Sequence, residues 1–218
     1  MQDQIQALSK MPLIGEAAPD FKALTTTGPL QFSEYAKDSW VVMFSHPADF
    51  TPVCTTEMSA FAVEQDWFQE RGAKLIGLSI DSIHSHLAWV NNVREKTGVY
   101  MTFPIIADID MSVSKLYGML HPGESKTAAV RAVFIVDPKG DIRLIMYYPM
   151  NVGRNMDEIK RALIALQTSD ENKCAMPVDW RPGDKAIVPP PKTLEQMDER
   201  IANTEYEKID FYLAKKAI

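Results

Sequence analysis

The chain has 218 residues, enough for one large domain or for one domain with an appendage. Apolar residues make up 46% of it, which suits a packed core, and the formal net charge of −6 argues against nucleic acid as the main partner. We expect neither a membrane span nor a secretory signal, because no apolar run reaches about 20 residues and the start MQDQIQALSKMPLIGE lacks a basic segment followed by an apolar one.

The first half of the chain alternates apolar runs with helical periodicity. The run WVVMFS, residues 40–45, predicts a buried strand. Residues 54–71 carry apolar side chains at intervals of three and four, and Gly72 ends the pattern. A second strand is predicted over residues 73–80, and a second helix over residues 82–96.

The second half adds shorter elements and a hairpin. A strand is predicted over residues 103–108, followed by a short helix over 111–118. Strands over 130–137 and 142–149 flank a Pro-Lys-Gly turn, and a capping pattern of Asn and Glu opens a helix over 155–166. Strands that alternate with helices and end in a hairpin predict a layered α/β domain with a mixed sheet.

The composition changes after Ser169, where the chain becomes rich in proline and aperiodic before a helical stretch at 193–203. We therefore predict a main domain over residues 1–168 and a C-terminal extension over 169–218. An arm of about 50 residues could barely bury a core alone. Its apolar residues need cover from the main domain or from a second subunit: Val178, Trp180, Ile187, Val188, Phe211 and Tyr212.

Cys54 is the thiol for which the local sequence predicts chemistry. Thr51 suits a helix N-cap and Pro52 the first helical position, which places Cys54 in the first turn, near unpaired N–H groups and the positive end of the helix dipole. Thiolates are favoured at such positions, so we expect a nucleophile. Disulfide oxidoreductases carry a second cysteine where Thr51 stands, so the remaining chemistry is one thiolate attacking an electrophile. The alternative is a buried thiol that only fills a gap.

Cys174 is the only other cysteine. Two cysteines far apart in the sequence do not make a disulfide framework, so we expect a reducing, cytoplasmic setting. Cys174 is either a resolving thiol or a bystander, and we favour the bystander.

The run FSHPADFTPVCTTE resembles the active-site motif of the peroxiredoxins, in particular of their one-cysteine, peroxiredoxin-6-like subfamily. Further similar segments follow in order along nearly the whole chain, among them IGEAAPDF, LIGLSIDS, FPIIAD, VRAVFIVDP, YYPMNVGRN and MPVDWRPGD. The resemblance implies a thioredoxin-like fold and thiol-specific reduction of hydrogen peroxide or organic hydroperoxides in antioxidant defence, without metal, haem or flavin.

The resemblance also implies roles for single residues. Cys54 matches the peroxidatic cysteine, Thr51 the hydroxyl that orients the peroxide, and Pro47 the residue that shields the thiolate from water. Arg131 matches the arginine that stabilises the thiolate and polarises the oxygen–oxygen bond. Its place at the head of an apolar strand agrees, because a cation there needs an anionic partner. The supporting shell of the subfamily is matched by His46, Glu57 and Arg154.

The resemblance implies partners as well. Oxidation leaves a sulfenic acid on Cys54, which an external thiol of the thioredoxin, glutaredoxin or glutathione type reduces again. Archaeal relatives carry two extra cysteines at positions that hold Lys208 and Ala214 here, which weakens any resolving mechanism within the arm. We expect a homodimer or a decamer with the arms packed across the dimer.

Two other functions stay open. A peroxide sensor or holdase chaperone would change its assembly when Cys54 is oxidised. Some animal relatives also hydrolyse lipids through a GDSWG segment and an upstream histidine. The matching residues 37–41, KDSWV, lack both glycines, and Ser33 stands where the histidine would be.

Two histidines near each other in the sequence make a poor metal pair. His84 and His86 are two residues apart on a predicted helix and so face different ways. We expect both at the surface and no metal site.

Overall fold

The computed structural model describes residues 11–218. The first ten residues, which carry most of the start used to judge a secretory signal, lie outside the described residues. The chain forms two compact units, Met1–Arg154 and Asn155–Ile218. The domain boundary expected between residues 168 and 169 stays a prediction. None of the helices within the described part has the length and apolar character that crossing a bilayer requires.

The first unit is built on a seven-stranded sheet with four helices. The strands are β1 Lys22–Thr25, β2 Gly28–Gln31, β3 Trp40–Ser45, β4 Ala73–Ser79, β5 Ile105–Ala107, β6 Arg131–Val136 and β7 Ile142–Tyr148. The helices are α1 Phe32–Ala36, α2 Pro52–Gln69, α3 Ile83–Thr97 and α4 Ser112–Leu116. The strand order is β2-β1-β5-β4-β3-β6-β7. Only the β3–β4 and β4–β5 pairs are parallel among the described strands, so the predicted mixed sheet is confirmed.

Local sequence explains the central elements. Every residue of β3 is buried, as its run of β-branched and aromatic side chains predicts. Helix α3 begins after Ser82, whose hydroxyl accepts a hydrogen bond from Ser85 N, and ends at Gly98. Gly98 has φ of 75°, the left-handed conformation in which glycine closes helices at little cost. The hairpin of β1 and β2 and the short helix α1 were not predicted.

The second unit contains α5 Met156–Asn172, β8 Ala186–Ile187, α6 Leu194–Ala202, β9 Glu207–Asp210 and β10 Leu213–Lys216. Its strands form a small antiparallel sheet in the order β8-β10-β9, which the sequence did not predict. The Asn155 side chain accepts from Glu158 N, so the predicted cap is confirmed. The helix continues past the expected end at Leu166, and Lys173 follows it in the left-handed conformation.

The apolar residues of the arm differ in their exposure. Trp180 is buried, and its indole N–H donates to Asp184 O at 3.0 Å. Val178 and Tyr212 are 88% and 56% exposed, so they have little cover within the chain. Trp180 is therefore covered within the chain and these two are not, and cover from the main domain or from a second subunit stays a prediction.

Lys208 and Ala214, the two positions considered for a resolving thiol in the arm, lie opposite each other on β9 and β10. Ala214 is fully buried. The Lys208 ammonium donates to the carbonyls of Arg200, Ile201 and Asn203 at the end of α6. Lys208 thus caps the carboxyl end of α6, where a positive charge is favourable.

Three segments of the first unit meet at one end of its sheet. Strand β3 ends at Ser45, and β6 runs antiparallel beside it with Val133 opposite Phe44. Arg131, the first residue of β6, therefore lies at the same end. Tyr148 at the end of β7 pairs with Arg131, so the loop of residues 149–154 starts there as well.

Candidate active site

Helix α2 places Cys54 in its first turn, just after the loop that follows β3. Thr51 occupies the N-cap position with φ −101° and ψ 150°, and Pro52 is the first helical residue. The Thr51 hydroxyl does not cap the helix, so that part of the prediction is wrong; it donates to Ala48 O at 2.9 Å instead. Cys54 is fully buried and is a free thiol.

Arg131 contacts the sulfur of Cys54. Its Nη1 lies 3.4 Å from Cys54 Sγ and 2.5 Å from Glu57 Oε2. Its Nε and Nη2 donate to Met150 O at 3.0 and 2.6 Å, so the loop after β7 fixes the orientation of the guanidinium. The sequence led us to expect the contact with Cys54. It did not indicate that a carboxylate lies closer.

Glu57 links Arg131 to a second guanidinium. Arg154 Nε donates to Glu57 Oε1 at 2.8 Å and Nη2 to Oε2 at 2.9 Å, a bidentate pair. Arg154 Nη1 donates to the carbonyls of Ser45 and Ala132, both at 2.9 Å. Arg154 therefore ties the loop after β7 to β3, to β6 and, through Glu57, to α2.

Opposing effects act on the charges of this network. Burial raises the pKa of Glu57, but the attraction and hydrogen bonds of Arg154, with the charge of Arg131, outweigh it and hold the pKa below its ordinary value. Burial lowers the pKa of Arg154, while Glu57 opposes that shift. Guanidinium groups stay protonated in proteins, so the network contains two cations and one carboxylate.

The charges balance only if Cys54 is a thiolate. The side chains of Arg131, Arg154 and Glu57 are 3%, 1% and 5% exposed, so water screens them little. An unpaired buried charge costs several kcal/mol. A neutral thiol would leave one guanidinium charge uncompensated, whereas a thiolate 3.4 Å from Arg131 Nη1 pairs with it. The geometry therefore favours the nucleophilic form of Cys54.

The loop between β3 and α2 holds two further predicted residues. Pro47 and His46 are both buried. The polar side-chain contact of His46 is with Asp49, Nε2 to Oδ1 at 2.9 Å, and not with Cys54. Asp49 Oδ2 lies 2.8 Å from His86 Nδ1. The ligand-type atoms of His46, Asp49 and His86 lie within 4.8 Å of one another.

The expectation that His86 lies at the surface is wrong. It is fully buried and contacts Asp49 and Ile106 O, whereas His84 is exposed as expected. The buried residues of α3 are His86, Trp89 and Val93, at intervals of three and four. That spacing marks one helix face and could have identified His86 as buried. Asp49 was missed, although it follows His46 by three residues.

Three further residues named from the sequence, Cys174, Ser39 and Ser33, each have hydrogen-bond partners of their own. Cys174 is a buried free thiol whose backbone N–H donates to Ser169 O at 3.3 Å. The Ser39 hydroxyl donates to Lys37 O, and the Ser33 hydroxyl donates to Asp20. The two hydroxyls thus have different hydrogen-bond partners.

Two protein families match the sequence. The AhpC/TSA family matches residues 14–145, and the C-terminal domain of 1-Cys peroxiredoxin matches residues 165–204. The chain is 54% identical over 209 residues to Peroxiredoxin 2 of Caldanaerobacter subterraneus, covering 95% of this chain and 94% of that protein.

Solved structures are similar as well. A yeast mitochondrial 1-Cys peroxiredoxin has a TM-score of 0.85 and 42% identity, covering 95% of this chain and 100% of that one. A cysteine-to-serine mutant of the peroxiredoxin 6 of Arenicola marina has a TM-score of 0.84 and 36% identity, covering 94% and 98%. The expected thioredoxin-like fold, a mixed sheet flanked by helices, is confirmed by these matches.

Proposed function

The chain belongs to the AhpC/TSA family of peroxiredoxins and is a thiol-dependent peroxidase, and we propose that Cys54 is its peroxidatic thiol and Arg131 the cation that activates it. The observation that carries this assignment is the buried charge balance of Arg131, Arg154 and Glu57, which is complete only with a thiolate at Cys54. The matches do not favour the sensor or holdase alternative.

The proposed reaction is a displacement at oxygen. The Cys54 thiolate attacks the terminal oxygen of a hydroperoxide, a sulfur–oxygen bond forms, and the oxygen–oxygen bond breaks with its electron pair on the leaving oxygen. That oxygen takes a proton and departs as water or an alcohol, and Cys54 is left as a sulfenic acid. Arg131 Nη1, 3.4 Å from the sulfur, is placed to stabilise the negative charge that moves from sulfur to oxygen.

Thr51 and Pro47 complete the proposed site. The Thr51 hydroxyl donates its one hydrogen to Ala48 O. Its oxygen therefore remains free to accept a hydrogen bond from the O–H of a hydroperoxide. This supports the orienting role that the resemblance implied. Pro47 is buried and has no N–H, which suits a residue that keeps water away from the thiolate.

We propose that an external thiol of the thioredoxin, glutaredoxin or glutathione type reduces the sulfenic acid. The similar yeast mitochondrial protein resolves its thiol through glutathione and thioredoxin systems. Lys208 and Ala214, where archaeal relatives carry cysteines, provide no thiol here. Both cysteines of the chain are free thiols, which fits the reducing, cytoplasmic setting that we also propose.

The proposed assembly is a homodimer or a decamer. Its support is the exposed apolar side chains of the second unit, Val178, Leu194, Ile209 and Tyr212. Sedimentation of the reduced protein tests it. A monomer at micromolar concentration contradicts the proposal.

One experiment tests the peroxidase assignment and the role of Cys174 together. The reduced protein receives one equivalent of hydrogen peroxide, and mass spectrometry then locates the added oxygen. We expect a sulfenic acid on Cys54 and no change at Cys174. A Cys54–Cys174 disulfide would make Cys174 the resolving thiol, and oxidation elsewhere would overturn the assignment of Cys54.

A further inference from the structure

Three buried side chains in or next to the loop between β3 and α2 are titratable, and the proposed displacement at oxygen gives none of them a role. His46 and His86 are fully buried, and the side chain of Asp49 is 1% exposed. Asp49 Oδ1 lies 2.9 Å from His46 Nε2, and Asp49 Oδ2 lies 2.8 Å from His86 Nδ1. Each oxygen of one carboxylate thus contacts one ring nitrogen of a different histidine.

The second nitrogen of His86 decides where the protons are. His86 Nε2 lies 3.1 Å from Ile106 O, and a carbonyl oxygen only accepts, so Nε2 carries a hydrogen. The Asp49 oxygen that faces Nδ1 is also an acceptor when ionised, so that contact must contain a second proton. Turning the ring by 180° would place carbon atoms at both contacts and lose both hydrogen bonds.

The ionised form of Asp49 assigns that proton to His86. Burial raises the pKa of Asp49, but the hydrogen bonds and charges of His46 and His86 outweigh it and hold the pKa well below its ordinary value. Asp49 is therefore a carboxylate, and His86 carries a hydrogen on each ring nitrogen. The two form a buried ion pair with every polar ring atom of His86 satisfied.

His46 takes the opposite state. Burial lowers its pKa, and the hydrogen bond and charge of Asp49 oppose the shift without cancelling it, so the ring is neutral. A neutral imidazole has one N–H, and the carboxylate of Asp49 requires it on Nε2. His46 Nδ1 then carries a lone pair. Within residues 11–218 this atom is buried and has no hydrogen-bond partner.

Neighbouring groups fix the loop that carries the cluster, and two cations oppose a positive charge on His46. Asp81 Oδ2 accepts from Asp49 N at 3.0 Å and from the Ser79 hydroxyl at 2.6 Å, which fixes the loop that carries Asp49. The positive charges of His86 and Arg154 both lower the pKa of His46 and so favour its neutral form.

We propose that Asp49 and His86 are positioning residues of the peroxidase, whose ion pair holds His46 in the Nε2–H tautomer and so keeps Nδ1 as a hydrogen-bond acceptor at the active-site end of β3. The inference rests on the proposed function, because the O–H groups that the reaction brings to this end of the sheet are those of the hydroperoxide and of the sulfenic acid. A carboxylate that sets a histidine tautomer is a known device of catalytic sites.

Nuclear magnetic resonance of the reduced wild-type protein, labelled with ¹⁵N-histidine, tests the protonation states without relying on activity. The chain has four histidines, and His84→Gln and His121→Gln remove the signals of the other two. At neutral pH we expect one remaining ring with both nitrogens protonated and one with hydrogen only on Nε2. Two neutral rings, or hydrogen on Nδ1 of His46, would overturn the proposal. Stoichiometric binding of added zinc ion by both rings would overturn it too, since a metal would then replace the proton.

The kinetic test uses Asp49→Asn, because an amide cannot accept from both rings and removes the counter-charge of His86. We expect oxidation of Cys54 by hydrogen peroxide to slow by about a hundredfold. His46 should lose its single tautomer in the same sample. His84→Gln, on the exposed face of α3, is the matched control and should keep the wild-type rate. A folded Asp49→Asn protein with the wild-type rate contradicts the proposal. If that variant does not fold, the ¹⁵N-histidine spectrum of the wild-type protein still tests the proposed protonation states.

Discussion

Cys54 and Cys174 are both buried free thiols, yet their surroundings have little in common. Cys54 is 0% exposed, lies in the first turn of a helix and contacts a guanidinium at 3.4 Å. Cys174 is 6% exposed and follows the end of α5, where its backbone bonds to Ser169 through N–H and C=O. Burial alone therefore does not distinguish the two thiols. Charge does, because only Cys54 completes a network of buried ions.

The difference also concerns what each helix end offers. The first turn of a helix presents N–H groups and the positive end of the dipole, which suits an anion. The residues just past a carboxyl end meet the opposite field, which disfavours a thiolate. The positions of Cys54 and Cys174 relative to α2 and α5 thus predict opposite reactivities for two side chains of the same type.

The largest effect is expected from Cys54→Ser. A hydroxyl in place of the sulfur is a far weaker nucleophile at neutral pH, so peroxide turnover with an external thiol should fall by several orders of magnitude. Consumption of hydrogen peroxide in the presence of dithiothreitol measures it. Retained turnover in this variant would mean that another residue attacks the peroxide. The proposed contrast in reactivity between Cys54 and Cys174 would then be wrong.

Arg131→Met should have the next largest effect, because it removes the cation that pairs with the thiolate while keeping an apolar stem of similar length. Arg154 and Glu57 then balance each other, and a charged sulfur loses the guanidinium that contacts it. We expect the rate of Cys54 oxidation to fall by about a thousandfold.

Arg161→Met serves as the control for that experiment. Arg161 lies on α5 in a partly exposed pair with Glu158, Nε to Oε2 at 2.5 Å, and should leave the rate unchanged. Equal losses in both variants would mean that the Arg131 effect is one of general destabilisation.

The strands and helices that frame the site could be predicted because their signals are local. The run Trp40–Ser45 is apolar except for its last residue, and the predicted starts of α3 and α5 have caps that the structure confirms. Helix α5 continued past the expected Leu166 because polar residues on its exposed face do not end a helix. The strands of the second unit, such as Ala186–Ile187, are two to four residues long, too short to show a period.

Only part of the candidate site could be predicted: the contact of Arg131 with Cys54 was expected, whereas Asp49 and the burial of His86 were not. Cys54 and Arg131 follow from a cap pattern, a strand and a resemblance to a family. The bond between Arg131 and Glu57 joins residues far apart in the sequence, and no local pattern encodes it. The spacing of His86 to His84 does not indicate burial, whereas its spacing to Trp89 and Val93 does.

Glu57→Gln should reduce stability rather than abolish chemistry. Removing the carboxylate leaves two buried guanidiniums without their shared partner, which we expect to cost about 3 kcal/mol in the free energy of unfolding. Urea unfolding at neutral pH measures it. Glu158→Gln breaks an exposed pair and should cost about 0 to 1 kcal/mol.

The same variant has a pH signature. The pKa of Glu57 in the folded protein is held below its unfolded value of about 4.3. As pH falls below that value the unfolded chain takes up the proton first, so the stabilisation from Glu57 is lost progressively in this window. Stability should therefore decline less steeply below about pH 4.3 in Glu57→Gln than in the wild type. Parallel curves would contradict the assigned shift.

The smallest effect is expected from Cys174→Ala, which tests the other side of the comparison. If Cys174 only fills space, its loss should cost about 1 kcal/mol of stability and leave peroxide turnover within about twofold of wild type. Brief treatment of the native wild-type protein with iodoacetamide should modify Cys54 and spare Cys174, since thiolates react and thiols hardly do. If Cys174 is instead a resolving thiol, Cys174→Ala should accumulate sulfinic acid on Cys54 under repeated turnover. The sulfenic acid of Cys54 would then lack the thiol that reacts with it and protects it from further oxidation. Peptide mass spectrometry of Cys174→Ala and of the wild type after many turnovers separates the two outcomes, even if the two proteins have the same initial rate.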